Sequence, residues 1–247
     1  MKKSLLCVLA VFALLFVAGA PAAAERDKKV TEVQFAKGSS SAVLKGKITG
    51  YHYVDYRIRA GAGQRLKVSM EATNLANYFN ILPPESENAA MFIAGAGSRV
   101  FAGLLPDDGV YTLRVYLMRS AARRKESSDY SLSISITGKP LAAVSAKIDA
   151  LIAGTRYHAK TTVKCEPLYT KTRECEALVV RRGFDGTATV ELRWDGSGKR
   201  RILFLKGTPV AADVPQPMTF TRNDRGWVVT FGGDERFEVP EPLVMGG

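Results

Sequence analysis

The fold is most readily predicted from the stretch Tyr130-Ser131-Leu132-Ser133-Ile134-Ser135-Ile136. Large apolar residues alternate with serine along this run, so one side of an extended chain is apolar and the other side is polar. This alternation is typical of a strand in a sheet that buries one face. The run therefore predicts a half-buried β-strand.

The same alternation recurs between Val33 and Gly138, and turn-forming sequences rich in Gly, Pro and Asp separate its occurrences. The strand patterns lie at residues 43–48, 53–58, 66–70 and 111–116, and the turns lie at residues 60–63, 83–84, 95–97 and 106–109. Many short strands joined by regular turns favour an antiparallel β-sandwich. We predict such a sandwich for residues 25–138.

The pattern changes after the sandwich. Residues 139–153 are rich in alanine and carry Val144, Ile148 and Leu151 at helical spacing, which predicts a linker with one short helix. Further strand patterns follow at residues 177–180, 187–192, 201–205 and 226–231, with glycine-containing turns that join them as hairpins. We predict a second, smaller β-rich domain for residues 154–247, and an all-β fold for the whole chain.

The first residues have the order of a secretory signal peptide. Lys2 and Lys3 precede an apolar run at residues 5–17, and small residues follow up to Ala24. We predict cleavage after Ala24 and a periplasmic location. The run is shorter than the roughly 20 apolar residues that a transmembrane helix needs, so we expect no membrane insertion after cleavage.

The predicted export to the periplasm determines how the cysteines are interpreted. Cys7 lies inside the apolar run and leaves with the signal, so the mature chain retains Cys165 and Cys175. In an oxidising compartment, two cysteines separated by a short loop are expected to form a disulfide. A metal site is the alternative, but two thiolates without a nearby histidine make a poor one. We predict a disulfide, with no bound metal and no cofactor.

The formal net charge of +11 falls to +9 when Lys2 and Lys3 are removed. A basic protein outside the cytoplasm encounters few nucleic acids and many anionic surfaces, so its field can steer it to an acidic protein, a polysaccharide or lipid headgroups. Charge does not distinguish among these partners, and the sequence makes no prediction of the oligomeric state.

Residues suited to catalysis are few. The chain has two histidines, His52 and His158, but no Gly-x-Ser-x-Gly motif and no cysteine left free by the disulfide. Two of the carboxylates could in principle form a glycosidase pair, but nothing in the sequence brings any two of them together; the candidates are Asp55, Glu71, Asp107 and Asp108. We predict that the protein is not an enzyme.

The connection after residue 116 is unusually basic, with Arg119, Arg123, Arg124 and Lys125 between two strand patterns. Arginine presents a rigid fork of donors that matches carboxylates, so a cluster of arginines suits an acidic cleft. A solvated charge run is the alternative, and it is the usual role of such clusters. The chemistry of the residues leaves both interpretations open.

The order of several motifs resembles the periplasmic inhibitors of goose-type lysozyme. The motifs lie at residues 50–56, 62–66, 77–84, 105–119 and 121–124. The similarity spans residues 33–138, and the run from Arg114 to Arg124 is its most specific part. The less specific pieces at residues 62–64 and 108–112 also look like β-sandwich modules of secreted peptidases.

This resemblance implies a sandwich whose loops enter the lysozyme's substrate cleft. Goose-type lysozymes depend on an active-site carboxylic acid, which arginines of the basic connection would neutralise and block. The implied inhibitory loop contains Tyr116, Arg119, Ser120, Arg123 and Arg124. The further contacts that we predict are Tyr51, Tyr53, Asn77 and Tyr78.

Inhibition of a goose-type lysozyme is therefore the function that we predict from the sequence. The alternative is a non-catalytic cell-envelope module that binds peptidoglycan or an anionic glycan. Residues from about 154 onward lie outside the resemblance, and their role is left open.

Overall fold

The computed structural model describes residues 27–95, 98–196 and 198–246. The predicted signal peptide and its cleavage after Ala24 lie outside these residues. The described chain contains seventeen strands and two five-residue helices, which confirms the all-β prediction. In this part of the chain, no helix combines the length and the apolar character that spanning a membrane requires.

The first half forms two sheets. Its elements are β1 (Lys28–Glu32), β2 (Ser41–Thr49), β3 (Tyr53–Ala60), β4 (Arg65–Ala72), β5 (Asn77–Leu82), β6 (Phe92–Ile93), β7 (Val100–Leu104), β8 (Gly109–Leu117), α1 (Arg119–Arg123) and β9 (Ser127–Thr137). One sheet has the order β1-β3-β8-β5-β6 and the other β2-β9-β4-β7. Neighbouring strands are antiparallel, except that β1 pairs in parallel with β3.

The two sheets enclose one hydrophobic core. Leu132 and Ile134 of β9 are buried in it together with Leu113 and Val115 of β8. Each fully buried side chain of this size contributes about 1.5–3 kcal/mol. The serines between the buried residues of β9 lie on the other face, so the alternation at residues 130–136 selects which face packs inward.

The second half forms one curled antiparallel sheet. Its elements are β10 (Ala159–Glu166), β11 (Glu174–Arg181), β12 (Ala188–Arg193), β13 (Lys199–Leu205), β14 (Thr208–Ala212), β15 (Met218–Asn223), β16 (Gly226–Phe231), β17 (Glu235–Pro240) and α2 (Glu241–Met245). The order is β14-β13-β12-β11-β10-β17-β16-β15, and the edge strands β14 and β15 contact each other. The sheet thus nearly closes around a core that includes Val190, Phe204 and Phe237.

The predicted disulfide is confirmed. Cys165 in β10 and Cys175 in β11 are buried and bonded to each other. The bond joins neighbouring strands and contributes to the core of the second half.

The short helix predicted for residues 139–153 is wrong. This segment contains no helix and has turns at residues 146–148 and from residue 153, and Ile148 is 71 % exposed, so the apolar residues at helical spacing have no common surface to bury. The backbone is bonded to both halves instead: the Leu141 amide donates to the Ala62 carbonyl at 2.9 Å, and the Val144 amide donates to the Arg181 carbonyl at 2.8 Å. The division into domains at this segment stays a prediction.

A buried ionic network joins the halves. Asp107, in the turn between β7 and β8, accepts two hydrogen bonds from Arg156 at 2.9 and 2.6 Å and one from Arg182 at 3.2 Å. Arg201 Nε lies 3.2 Å from the same carboxylate and donates to Glu191 Oε2 at 2.8 Å. Asp107 is therefore the anchor of the first half on three arginines of the second half.

Two carboxyl groups of the second half, at or beside this network, have pKa values shifted in opposite directions. Burial opposes the ionisation of Glu191, but the charge and hydrogen bonds of Arg201, with those of Arg193, lower its pKa to about 2. Burial raises the pKa of Asp213 to about 6, even though the backbone amide of Arg201 donates to it at 2.8 Å. Glu191 is therefore held ionised by its arginine partners, whereas the contacts of Asp213 do not offset the cost of burying its charge.

Candidate partner-binding site

The basic connection folds into the one-turn helix α1 directly after β8. Ala121 and Ala122 are buried against the sandwich core, whereas Arg119, Ser120 and Arg123 are exposed. The small alanines allow the helix to lie close to the sandwich, and its polar residues consequently face solvent. A helix of five residues is too short for periodicity to reveal, so the sequence predicted only a loop here.

A groove of about 470 Å³ opens beside the start of α1. Its lining residues come from the β2–β3 turn, from β3, β5 and β8, from the β5–β6 connection and from the helix: Tyr51, His52, Tyr53, Asn80, Asn88, Arg114, Tyr116, Leu117 and Arg119. Four of the predicted contacts are thus brought together here, namely Tyr51, Tyr53, Tyr116 and Arg119. Ser120, Arg123 and Arg124 lie on the helix or just beyond it, outside the lining.

Tyr116 forms a fixed wall of this groove. Its hydroxyl donates to Asn80 Oδ1 at 3.1 Å, and its ring packs edge-to-face against Tyr78 with centroids 6.4 Å apart. Burial raises the pKa of Tyr116, so the hydroxyl stays neutral. Tyr78, a predicted contact, therefore supports Tyr116 from outside the lining.

Arg114 is a groove residue that sequence reasoning missed as part of the site. Its Nε and Nη2 donate to the two oxygens of buried Asp55 at 2.7 and 2.9 Å, and its guanidinium lies 4.8 Å from the centre of the Tyr53 ring. Its Nη1 donates to the Glu87 carbonyl at 3.1 Å. Asp55 lies directly opposite Arg114 in the β3–β8 ladder, so a strand alignment could have found the pair.

The arginines of the basic connection differ in whether they are already paired. Arg124 Nε donates to Glu126 Oε1 at 2.6 Å. Arg119 and Arg123 are exposed, and neither makes an ion pair or a side-chain hydrogen bond with a residue that the structure describes. Only Arg119 also lines the groove, which makes it the arginine best placed to meet a partner's carboxylate.

The prediction that Asn77 contacts a partner is wrong. Asn77 begins β5 and is 0 % exposed, because it shares the inward face of that strand with Phe79 and Ile81. Neither the nitrogen nor the oxygen of its side-chain amide has a hydrogen-bond partner among the described residues. The alternation of β5 was readable in the sequence and could have excluded Asn77.

No protein-family model matches the chain. Over 136 residues, however, it is 30 % identical to an inhibitor of g-type lysozyme from Escherichia coli (strain K12), a match that covers 55 % of this chain and 95 % of that protein. The chain belongs to the family of g-type lysozyme inhibitors. The resemblance noted in the sequence is thereby confirmed.

Two solved structures of g-type lysozyme inhibitors, both described as periplasmic, also match part of this family member. The Aeromonas hydrophila inhibitor is 36 % identical, and the match covers 46 % of this chain and 100 % of that chain with a TM-score of 0.43. The Salmonella Typhimurium inhibitor is 30 % identical over 44 % of this chain and 98 % of that chain, with a TM-score of 0.37.

Proposed function

We propose that this protein is a periplasmic inhibitor that binds goose-type lysozyme. We propose that it blocks the enzyme's active-site cleft with the basic helix α1 and with residues that line the adjacent groove. The observation that carries the proposal, beyond family membership, is the exposed guanidinium of Arg119, unpaired within the described residues, at the rim of a tyrosine-lined groove. Blocking the cleft protects peptidoglycan from lysis.

Arg119 has the chemistry to neutralise an active-site carboxylic acid. A guanidinium is permanently charged, and it can donate two parallel hydrogen bonds to one carboxylate. Because Arg119 has no partner to release among the residues that the structure describes, binding removes only its water. An arginine seated on the catalytic acid would occupy the position of the substrate and hold that acid ionised.

The tyrosines supply the surrounding contact surface. Tyr51, Tyr53 and Tyr116 line the groove beside Arg119, and rigid aromatic side chains of this kind anchor protein interfaces. Arg123 lies one helical turn from Arg119 and can contact the rim of the cleft. Arg124 contributes less, because its pairing with Glu126 must be given up before it can bind a partner.

We infer a non-catalytic role for both histidines. The His158 ring is engaged on both nitrogens: Nδ1 accepts from the Arg181 amide at 3.0 Å, and Nε2 donates to the Val144 carbonyl at 2.9 Å. His52 is exposed, with Nδ1 3.5 Å from a carboxylate oxygen of Asp27. The proposed inhibition requires no chemical step by this protein.

The direct test is to titrate the purified mature protein into a turbidity assay in which a goose-type lysozyme lyses bacterial cells. We expect lysis to stop near one equivalent of protein, while a chicken-type lysozyme used as control continues to act. Full lysis at a stoichiometric excess contradicts the proposal. Retention of the protein on isolated peptidoglycan without enzyme favours the envelope-binding alternative.

A further inference from the structure

Residues 83–89, a loop within the connection between β5 and β6, lie between the groove and the second half of the chain. We propose that the second half positions the partner-binding groove by holding this loop, with Arg201 and Lys199 as positioning residues that act through Glu85. The inference rests on the proposed function, because it assigns the second half a role in the same binding event.

Contacts from the second half converge on the start of the loop. Arg201 Nη1 donates to the Pro84 carbonyl at 2.8 Å, and its Nη2 donates to Glu85 Oε2 at 2.7 Å. Lys199 Nζ donates to the same carboxylate oxygen at 2.9 Å. Arg201 is itself buried and bonded to Glu191, so β12 and β13 fix the position from which it reaches the loop.

The later part of the loop, which contains Glu87 and Asn88, contributes to the groove. The Glu87 carbonyl accepts from Arg114 Nη1, and Asn88 belongs to the lining. Arg114 in turn lies over Tyr53 and bonds Asp55. Only Ser86 lies between Glu85 and Glu87, so a displacement of Glu85 is transmitted to Glu87.

The backbone of Glu85 indicates that these contacts hold the loop in place. Its φ of 63° lies in the left-handed region, which a residue with a side chain adopts at a cost of about 1–3 kcal/mol. Such a conformation persists where surrounding contacts enforce it. The Glu85 side chain is 66 % exposed, and its carboxylate contacts Lys199 and Arg201. The hydrogen bond from Lys199 also lowers the pKa of Glu85, which keeps this carboxylate ionised.

Among the described residues, the loop has few other contacts with the second half. A cavity of about 580 Å³ separates most of it from the second half, lined by residues 83–89 on one side and by residues 198–201 with Asp213 on the other. Because close packing is absent there, the bonds to Pro84 and Glu85 carry the connection between the second half and the groove.

The test is Glu85→Ala in the full-length mature protein, with the dissociation constant for a goose-type lysozyme measured by calorimetry. We expect binding to weaken by roughly three- to tenfold, which corresponds to a loss of up to about 1.4 kcal/mol. Whether affinity falls or rises distinguishes a positioning role from a general charge effect. Removing a carboxylate makes the protein more basic, so general attraction to an acidic cleft would strengthen binding, whereas loss of positioning weakens it.

Two variants sharpen this test. Glu71→Ala removes an equal charge from an exposed position on β4, and we expect it to leave binding unchanged or slightly tighter. Glu85→Gln keeps an acceptor oxygen for Lys199 and Arg201, and we expect it to restore part of the lost affinity. An unfolding transition equal to that of the parent protein shows that Glu85→Ala is folded.

The possible failures are distinguishable. If the parent protein inhibits the lysozyme and Glu85→Ala binds equally well or more tightly, the positioning role is overturned and the proposed function stands. If the parent protein itself fails to inhibit the lysozyme, the proposed function is overturned and the positioning role falls with it.

Discussion

Two groups of arginines in this chain have opposite environments. At the junction between the halves, Arg182 and Arg201 are buried and bonded to carboxylates. At the groove, Arg119 and Arg123 are exposed and unpaired within the part of the chain that the structure describes. An unpaired charge is too costly to bury, so a buried arginine serves the fold through its partners, while an exposed one remains available to another molecule. The same residue type therefore has two roles, which depend on burial and pairing.

Replacing a junction arginine should have the largest effect on stability. We expect Arg201→Met to lower the free energy of unfolding by roughly 3–5 kcal/mol, because it removes a buried guanidinium that Asp107 and Glu191 share and leaves both carboxylates to the more exposed Arg156 and their other partners. Urea unfolding of the full-length variant measures the loss. Arg123→Met is the matched control, with an expected change within about 0.5 kcal/mol. Equal stabilities of the two variants would erase the contrast between the two groups.

Replacing the groove arginine should act on binding instead. We expect Arg119→Ala to weaken binding to a goose-type lysozyme by roughly 2–4 kcal/mol, as for an interfacial charge pair that loses one partner. Its free energy of unfolding should stay within about 0.5 kcal/mol of the parent value, because Arg119 is exposed. Calorimetric binding and urea unfolding on one preparation test both statements. Unchanged affinity would return Arg119 to the role of a solvated surface charge.

The junction should also respond to pH through Asp213. Its pKa is about 6 in the folded chain and near 3.8 in an unfolded one, so the folded state holds a proton that the unfolded state has lost. Stability attributable to this group therefore falls as pH rises from about 4 to about 6, and the penalty is complete above pH 6. Glu191 acts in the opposite sense and at lower pH, since its contribution is lost as pH falls from 4.5 towards about 2.

Asp213→Asn isolates this effect. The variant keeps an acceptor for the Arg201 amide but cannot ionise, so its stability relative to the parent should increase between pH 4 and pH 7 by on the order of 2 kcal/mol. Urea unfolding of both proteins at several pH values in that range gives the difference. A difference that does not change with pH would mean that Asp213 ionises as freely in the folded chain as in the unfolded one.

The smallest effect is expected at Arg124, which combines features of both groups. It is exposed like Arg119 but already bonded to Glu126. We expect Arg124→Ala to weaken lysozyme binding by less than about 1 kcal/mol and to change stability by a similarly small amount. The binding assay used for Arg119→Ala measures it. A loss as large as that of Arg119→Ala would show that internal pairing does not decide which arginine binds.

Much of the fold was predictable because strand patterns are local. The alternation at residues 130–136 predicts both the strand β9 and its buried face. The segment 139–153 misled the prediction, since helical spacing produces a helix only where a surface exists to cover it. Asn77 was misassigned for the opposite reason: its neighbours Phe79 and Ile81 already marked its face as buried.

The candidate site was only partly predictable. Family resemblance pointed to Arg119 and the tyrosines around it, and the structure places several of them on one groove. Arg114 was missed because a residue on the polar face of a strand has the same pattern whether it is solvated or bonded to Asp55.

The sequence by itself determined nine of the seventeen described strands, the pair of cysteines that bond, and the family. Only the tertiary structure decided which charges are partners, as when Asp107 of a predicted turn becomes the buried anchor for Arg156, Arg182 and Arg201. The physical reason is the distance along the chain over which each property is determined. Strand formation depends on neighbours a few residues away, whereas the role of a charge depends on burial and on partners that folding brings from distant parts of the chain.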